Sequence, residues 1–307
     1  MNQTTPPTSA PAILPLEGKI TAAQVEAACP DPRTIFACDF YIEGAEAGTD
    51  DAGSLKLGRI INVDHHADLK RMRREITSTA LAAAYVNAHG RDAARPAWVA
   101  INHTDCDSIL SSAIMMGWLE PHQRYIDASI DADHRGTPNE IADALQALDE
   151  GRKGRRTEAQ YLESLECVTR IDQGRELAPA AQLALRGHAN RRARAKALVD
   201  SGEMTVEGGV AFVQHATELD GAFFPMLLPH AQLIVLAFPN RDDPAKWTVK
   251  VRRGPAAPED VTLHSLKVGE MDASFGGRWN AGSNKRGGGT HIRPEDYARM
   301  LREKLAG

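Results

Sequence analysis

Short apolar segments with aspartate or histidine at or next to their ends constrain the fold of this chain more than any other feature. They occupy residues 34–40, 58–66, 97–102 and 124–134, and a helical pattern of small and apolar residues fills 78–90. Apolar strands that alternate with helices predict a mostly parallel, doubly wound α/β sheet. Because parallel strands end at one edge of such a sheet, their polar ends should converge on one site.

The length of 307 residues and two changes of sequence pattern predict more than one domain. We expect a flexible tail over 1–15, rich in Pro, Thr and Ser, and an α/β domain over 16–140. Residues 141–202 are rich in Ala, Leu and Arg and predict a helical connector. Alternating apolar segments over 203–307 predict a second, smaller α+β domain.

Composition excludes several classes of protein. A formal net charge of -5 and the absence of an aromatic stacking pattern argue against binding to long nucleic acid. The four cysteines lack CxxC spacing, and no export signal or apolar run of about 20 residues is present. We therefore expect a cytoplasmic protein with reduced thiols and no membrane span.

The triplet Asp64, His65 and His66 is the most specific feature of the strand ends. Two adjacent histidines after an apolar strand are costly to bury unless they are bound or paired. Imidazole nitrogen and carboxylate oxygen are ligands for first-row divalent metals, so the triplet indicates a metal centre. The alternative is an exposed histidine pair at a strand end.

A second cluster, His103, Asp105 and Asp107, alternates along the chain, so an extended backbone would point all three side chains the same way. Two carboxylates so close repel each other unless a cation lies between them. The alternative is a turn in which Asp107 or Ser108 caps the following helix. Capping and metal binding can coexist.

These motifs resemble the DHH phosphoesterase superfamily. The resemblance lies in two segments, INVDHHADLKRMRREITSTALAAAYV and NHTDCDSILSSAIM, although the second precedes the first in that superfamily. Two later segments, WTVKVRR and FGGRWNAGS, resemble the DHH-associated C-terminal domain, with Arg278-Trp279 where a histidine is usual. The similar segments span most of residues 34–290, and we identify the chain as a divergent member. Either its motif order is permuted, or residues 103–107 fill the position of a later aspartate motif of that superfamily.

The resemblance implies a centre in which two Mn²⁺ or Mg²⁺ ions activate a bridging water that attacks phosphorus. It leaves the bridging carboxylate between Asp39 and Asp133, with Asp127 and Asp131 as weaker candidates, and each also has a reading as a turn residue or cap. The implied metal ligands are Asp39, Asp64, His65, His103, Asp105, Asp107 and Asp133.

The catalytic residues that the resemblance implies are His66, as a phosphate contact or second ligand, and Asp64, as its support or as a ligand. His66 or His134 would protonate the leaving group, because an imidazole titrates near a pKa of about 6.5. His134 also has a reading as a helix cap or loop residue.

The second domain carries a predicted anion clamp. Glycines let backbone N–H groups approach an oxyanion, and arginine grips it with two donors. A mobile glycine-rich loop is the alternative. The predicted substrate-binding residues are Arg252, Arg253, Gly276, Gly277, Arg278, Trp279 and Asn280.

Together these features predict a metal-dependent hydrolase. We expect a two-metal phosphoesterase that acts on a small phosphorylated or nucleotide-like molecule, or on a short oligonucleotide, in a cleft between the two domains. The alternatives are hydrolysis of a non-phosphate bond on the same scaffold and a non-catalytic regulator that binds metal or nucleotide. The sequence does not decide between a monomer and a homodimer.

Overall fold

The computed structural model describes residues 10–14, 20–30, 32–50, 52–90, 98–152 and 157–307. Most of the predicted tail over 1–15 lies outside the described residues. The chain forms two compact units. The first comprises residues 1–67, 75–133 and 138–188, and the second comprises 68–74, 134–137 and 189–307.

The first unit is built on a five-stranded sheet with the strand order β1-β5-β2-β4-β3. Only β3 runs antiparallel to its neighbour, so the sheet is mostly parallel, and β2 lies between β4 and β5. The predicted α/β class is therefore confirmed. The strands are β1 Ala12–Ile13, β2 Ile35–Cys38, β3 Leu55–Leu57, β4 Ile60–Val63 and β5 Trp98–Ile101.

Helices follow the strands of this unit, and polar side chains fix where several of them begin. Thr77, Asp105 and Asn139 each accept a backbone N–H bond at the start of a helix. The helices are α1 Ala22–Ala28, α2 Ser78–His89, α3 Cys106–Met115, α4 Gln123–Ile130, α5 Glu140–Gly151, α6 Glu158–Asp172 and α7 Pro179–Asp200. No helix in the described part of the chain is long and apolar enough to cross a membrane.

The prediction of a strand over residues 124–134 is wrong. This segment forms α4 and then a π-helical turn, Asp131–Arg135. Its buried residues, Tyr125, Ala128, Ser129 and Ala132, recur every three or four positions, which is the spacing of one helix face. The helical period therefore outweighs the short apolar stretch on which the strand prediction rested.

The second unit contains a six-stranded sheet with the order β10-β11-β9-β8-β7-β6, in which only β7 and β8 are parallel. Both faces are covered, because alternate residues of β8 enter different cores. Ile234 packs in the core that contains Leu198 of α7, and Val235 packs in the core that contains Tyr297 of α10. The elements are β6 Thr205–Glu207, β7 Val210–Gln214, α8 Phe224–Leu227, β8 Leu233–Pro239, β9 Trp247–Arg253, α9 Val268–Met271, β10 Gly276–Gly277, β11 Ala281–Ser283 and α10 Pro294–Ala306.

Candidate metal centre

The carboxyl ends of three adjacent strands supply most of the candidate ligands. Asp39 follows β2, His65 lies two residues beyond β4, and His103 lies two residues beyond β5. Asp39 also takes a left-handed backbone conformation, with φ of 60°. Aspartate tolerates this conformation better than most residues, and it turns the chain directly at the end of the strand. The parallel sheet thus brings these side chains to one edge.

Asp133 reaches the same place from a helix. It lies in the π-helical turn after α4, and α4 is tied to the start of α2 by a hydrogen bond of 2.7 Å between the hydroxyls of Ser129 and Thr77. This contact joins residues that are 52 positions apart in sequence. Tertiary packing therefore places Asp133 at the ends of the strands.

His65 lies among three buried carboxylates. Its Nε2 atom is 3.6 Å from Oδ1 of Asp39, 3.6 Å from Oδ2 of Asp107 and 3.2 Å from Oδ2 of Asp133. The His65 side chain is only 1% exposed. One imidazole nitrogen is thus surrounded by carboxylate oxygens from three different elements.

His103 forms a second group on the other side of Asp39. Its Nε2 atom is 3.1 Å from Oδ2 of Asp39 and 3.2 Å from Oδ2 of Asp105, and its Nδ1 atom is 2.5 Å from Oδ1 of Asn102. The two carboxylate oxygens of Asp39 therefore face different histidines.

The spacing and chemistry of these atoms fit divalent ions. Ligands held about 2.1 Å from one ion lie about 3.0 to 3.4 Å from each other in octahedral or tetrahedral geometry. The nitrogen to oxygen separations of 3.1 to 3.6 Å are close to that range. Among the described residues, three groups of side chains could each hold an ion, because the candidate ligand atoms within a group lie no more than 4.8 Å apart. The groups are Asp39 with His65 and His66, Asp39 with His103 and Asp105, and His65 with Asp107 and Asp133.

Hydrogen bonds from the starts of two helices hold the carboxylates in place. Asp107 accepts the backbone N–H groups of Ser78 and Thr79, each at 2.7 Å, and the hydroxyl of Thr79 at 2.6 Å. Asp39 accepts the hydroxyls of Ser78 at 3.1 Å and Ser108 at 2.9 Å. The positive end of the α2 dipole thus stabilises a buried anion. The sequence motifs gave no role to Ser78 or Thr79, which follow the Asp-His-His triplet, and indicated Ser108 only as an alternative helix cap.

Crowding of charge shifts the pKa values at the centre. Burial, followed by repulsion from Asp39, raises the pKa of Asp107 well above its usual range. For His103, burial lowers the pKa, but the nearby charges of Asp105 and Asp39 outweigh it and raise the pKa well above its usual value. These shifts describe a site with an excess of negative charge, which a cation would relieve.

Asp64 is directed at His66. Its Oδ1 atom lies 2.5 Å from Nδ1 of His66, and its Oδ2 atom accepts the backbone N–H of the same residue at 3.0 Å. Burial raises the pKa of Asp64, but the charge and hydrogen bonds of His66 outweigh burial, so the net pKa lies below its usual value. None of the three ligand groups found in the described residues includes Asp64.

The other candidates near Asp133 are two aspartates and a histidine, and they lie outside the ligand groups. Asp127 accepts a hydrogen bond from Gln123 at 3.0 Å, and Asp131 accepts one from Asn139 at 2.9 Å. His134 follows Asp133 in the same turn and groups with the second unit. The ligand groups of the described residues contain Asp133 and none of these three.

In the second unit, Arg253 holds the backbone together. Its guanidinium donates to the carbonyls of Val261 at 2.9 Å, Ala257 at 2.6 Å and Pro258 at 2.9 Å, and it lies over the ring of Trp279. These bonds give Arg253 a structural role.

The remaining residues of the predicted anion clamp are divided between surface and interior. Trp279 and Asn280 are buried, Arg278 is partly buried, and Gly276 and Gly277 are exposed. Only glycine fits at position 277, because a Cβ atom there would lie 2.3 Å from the Cα of Gly282. Arg252 is partly buried on β9. Trp279 thus packs inside this unit, and its contact with substrate stays a prediction.

Comparisons with known proteins give only weak structural similarity to solved structures. No protein-family model matches the chain, and no curated protein sequence matches it. Among solved structures, the chain is similar to a pGpG-specific phosphodiesterase, PggH from Vibrio cholerae. The two share 14% identity over 68% of this chain and 78% of the other, with a TM-score of 0.44.

Proposed function

We propose that this chain is a two-metal phosphoesterase that acts on a small phosphorylated or nucleotide-like molecule. The observation that carries the proposal is the packing of three buried carboxylates, Asp39, Asp107 and Asp133, within 3.6 Å of the single Nε2 atom of His65. The resemblance of the surrounding motifs to DHH phosphoesterases favours a phosphoester as the substrate.

Charge balance supports two divalent ions. Like charges repel strongly in the interior of a protein, where the effective dielectric constant is low, and unpaired buried charges are costly. Two divalent ions would balance four carboxylates when both histidines are neutral ligands. The four carboxylates are Asp39, Asp105, Asp107 and Asp133.

The geometry divides the ligands into two sets. His103, Asp105 and one oxygen of Asp39 would hold the first ion. His65, Asp107, Asp133 and the other oxygen of Asp39 would hold the second. Asp39 is then the shared carboxylate, because each of its oxygens faces a different histidine.

In the reaction, bound divalent ions would supply a water of lowered pKa and positive charge beside the phosphoryl group. His66, with both ring nitrogens protonated, would transfer a proton from Nε2 to the leaving oxygen, while its Nδ1–H donates to Asp64 and orients the ring. The His66 side chain is 18% exposed, whereas that of His65 is 1% exposed, so His66 is the histidine that a substrate can reach.

A cysteine nucleophile does not fit this centre. Burial, followed by the charges of nearby aspartates, raises the pKa of the Cys38 and Cys106 thiols well above the usual range. A thiol attacks efficiently only as the thiolate, which both sites disfavour. Hydrolysis by water is therefore the mechanism that the residues favour.

A metal-dependent substrate panel tests the proposal. The protein would be stripped with a chelator, reloaded with Mn²⁺ or Mg²⁺, and assayed on phosphomonoesters, mononucleotides, short 5′-phosphorylated oligonucleotides and carboxylic esters. We expect release of phosphate or nucleoside monophosphate that depends on the ion and is lost in Asp107→Ala. Asp127→Ala, which removes an aspartate bonded to Gln123, is the matched control and should retain activity.

Two results would contradict the proposal. Hydrolysis of only the carboxylic esters would indicate a non-phosphate hydrolase on the same scaffold. Tight metal binding without turnover of any substrate would indicate a regulator that binds metal or nucleotide. Circular dichroism of Asp107→Ala would separate loss of the centre from loss of the fold.

A further inference from the structure

A hydrogen bond joins the turn that carries His103 and Asp105 to a distant helix. The hydroxyl of Thr104 donates to Oδ1 of Asp149 at 2.7 Å, across 45 positions of sequence. Thr104 is completely buried, and Asp149 is partly exposed in the last turn of α5. No motif in the sequence marks this pair.

The hydrogen bond between Thr104 and Asp149 restrains the residues on both sides of Thr104, which are His103 and Asp105. In an extended segment, alternate side chains point to opposite sides. His103 and Asp105 lie on one side, with Nε2 and Oδ2 only 3.2 Å apart. Thr104 therefore points away from the ligand cluster, and its bond to Asp149 restrains the turn from behind.

The position of Asp149 argues for a specific role. Acidic residues near the carboxyl end of a helix are unfavourable, because the helix dipole is negative there. Asp149 lies two residues before the end of α5 at Gly151. Helix stability alone does not explain a carboxylate here, whereas a charged acceptor gives the Thr104 hydroxyl a stronger and shorter hydrogen bond.

We propose that Asp149 is a positioning residue that acts through Thr104 to hold His103 and Asp105 in the geometry that binds the first ion. This inference rests on the proposed two-metal function. It concerns only one of the two ligand sets, because Asp107 is held separately by Ser78 and Thr79.

Metal titration of the stripped protein tests the inference without an activity assay. Thr104→Val removes the hydroxyl and keeps the shape of the side chain, and Thr104→Ser keeps the hydroxyl. We expect Thr104→Val to weaken the binding of one Mn²⁺ ion by about 10- to 100-fold, as is usual when a group that orients a ligand is lost. The second ion should bind as in the wild type, and Thr104→Ser should restore the first.

Two further variants sharpen the test. Asp149→Asn keeps an oxygen acceptor without the charge, so we expect a smaller loss of affinity than in Thr104→Val. Glu150→Gln is the matched control, since Glu150 is the next residue of α5 and its carboxylate faces His188 at 3.4 Å. It should leave both affinities unchanged. Calorimetry, with Mn²⁺ electron paramagnetic resonance, would resolve the two binding events.

Each outcome supports or overturns the inference. Unchanged Mn²⁺ binding in Thr104→Val overturns it and leaves the proposed function intact. Equal weakening of both ions, with a matching fall in the melting temperature, shows a general structural role and also overturns it. A wild-type protein that binds no Mn²⁺ overturns both proposals. If Thr104→Val does not fold, selective weakening of one ion in Asp149→Asn supports the inference, and its absence overturns it.

Discussion

Asp64 binds both the ring and the backbone of His66, with Oδ1 2.5 Å from Nδ1 and Oδ2 3.0 Å from the backbone nitrogen. A carboxylate accepts a hydrogen bond from Nδ1–H, so this pair keeps the proton on Nδ1 of the imidazole. Asp64 thus contacts His66, whereas His65 lies among the carboxylates of Asp39, Asp107 and Asp133. We propose that the Asp-His-His triplet combines one metal ligand with a separate aspartate–histidine pair.

The first prediction concerns Asp64→Asn. An amide at this position can donate to Nδ1 and so favours the neutral tautomer with its proton on Nε2, which is a far weaker acid than the ring protonated on both nitrogens. We expect kcat to fall by about 10²- to 10⁴-fold, the usual contribution of a general acid. Metal content, measured by elemental analysis, should stay at the wild-type value.

His66→Gln is the companion variant for this prediction. If Asp64 acts only through His66, the double variant should be no slower than either single variant. Loss of metal in Asp64→Asn would instead assign Asp64 as a metal ligand.

The second prediction separates the arginines of the second unit. Arg253→Ala leaves three backbone carbonyls without their donor, and we expect it to destabilise this unit by about 1 to 3 kcal/mol. Arg278→Ala, at a partly buried position, should change stability by less than Arg253→Ala does. If the glycine-rich segment binds the anionic part of the substrate, Arg278→Ala should raise KM. Thermal melts and steady-state kinetics measure the two effects. A normal melting temperature with a raised KM in Arg253→Ala would restore the predicted anion clamp.

The third prediction is a pH dependence that is independent of the metal centre. Glu218 pairs with Lys250 and Lys285, each at 2.8 Å. Burial raises the pKa of Glu218, but the hydrogen bonds and charges of the two lysines outweigh it, so the net pKa lies below its usual value. The stabilisation is therefore present above the unfolded pKa of about 4.3 and is lost as the pH falls through the folded value.

Glu218→Gln tests this sign. We expect a loss of less than about 1 kcal/mol at pH 7, because the pair is partly exposed, and convergence with the wild type as the pH falls below the folded pKa of Glu218. Glu270→Gln, at an exposed pair with Lys267, should differ little from the wild type at any pH. A Glu218→Gln difference that grows as the pH falls would contradict the assignment.

Sequence reasoning predicted the candidate ligands that follow β-strands. Asp39, His65 and His103 lie within two residues of the ends of short apolar strands, and a parallel sheet brings such ends to one edge regardless of the rest of the fold. The segment that contains Asp133 was predicted to be a strand, and this prediction was wrong. Its position depends on the Ser129–Thr77 contact, which no local pattern indicates.

The sequence also did not predict which groups the side chains of the second unit contact. Arg253 follows an alternating strand, and the pattern alone does not show that loop carbonyls occupy its guanidinium. Asp149 contacts Thr104 across 45 positions and belongs to no recognisable motif. Contacts of this kind come from packing between elements, whereas motifs record only local spacing.

The last prediction identifies the carboxylate shared by the two ions. Oδ1 of Asp39 faces His65 and Oδ2 faces His103, whereas Asp133 lies 3.2 Å from His65 and belongs only to that group. We therefore expect Asp39→Asn to lose both ions and Asp133→Asn to keep the ion held by His103 and Asp105. At a free Mn²⁺ concentration 100 times its dissociation constant, each ion stabilises the fold by about 2.7 kcal/mol, so Asp133→Asn should retain roughly half of the metal-dependent stabilisation. Elemental analysis after dialysis and melts with and without chelator measure both quantities. The reverse pattern, with one ion kept in Asp39→Asn and none in Asp133→Asn, would make Asp133 the shared ligand.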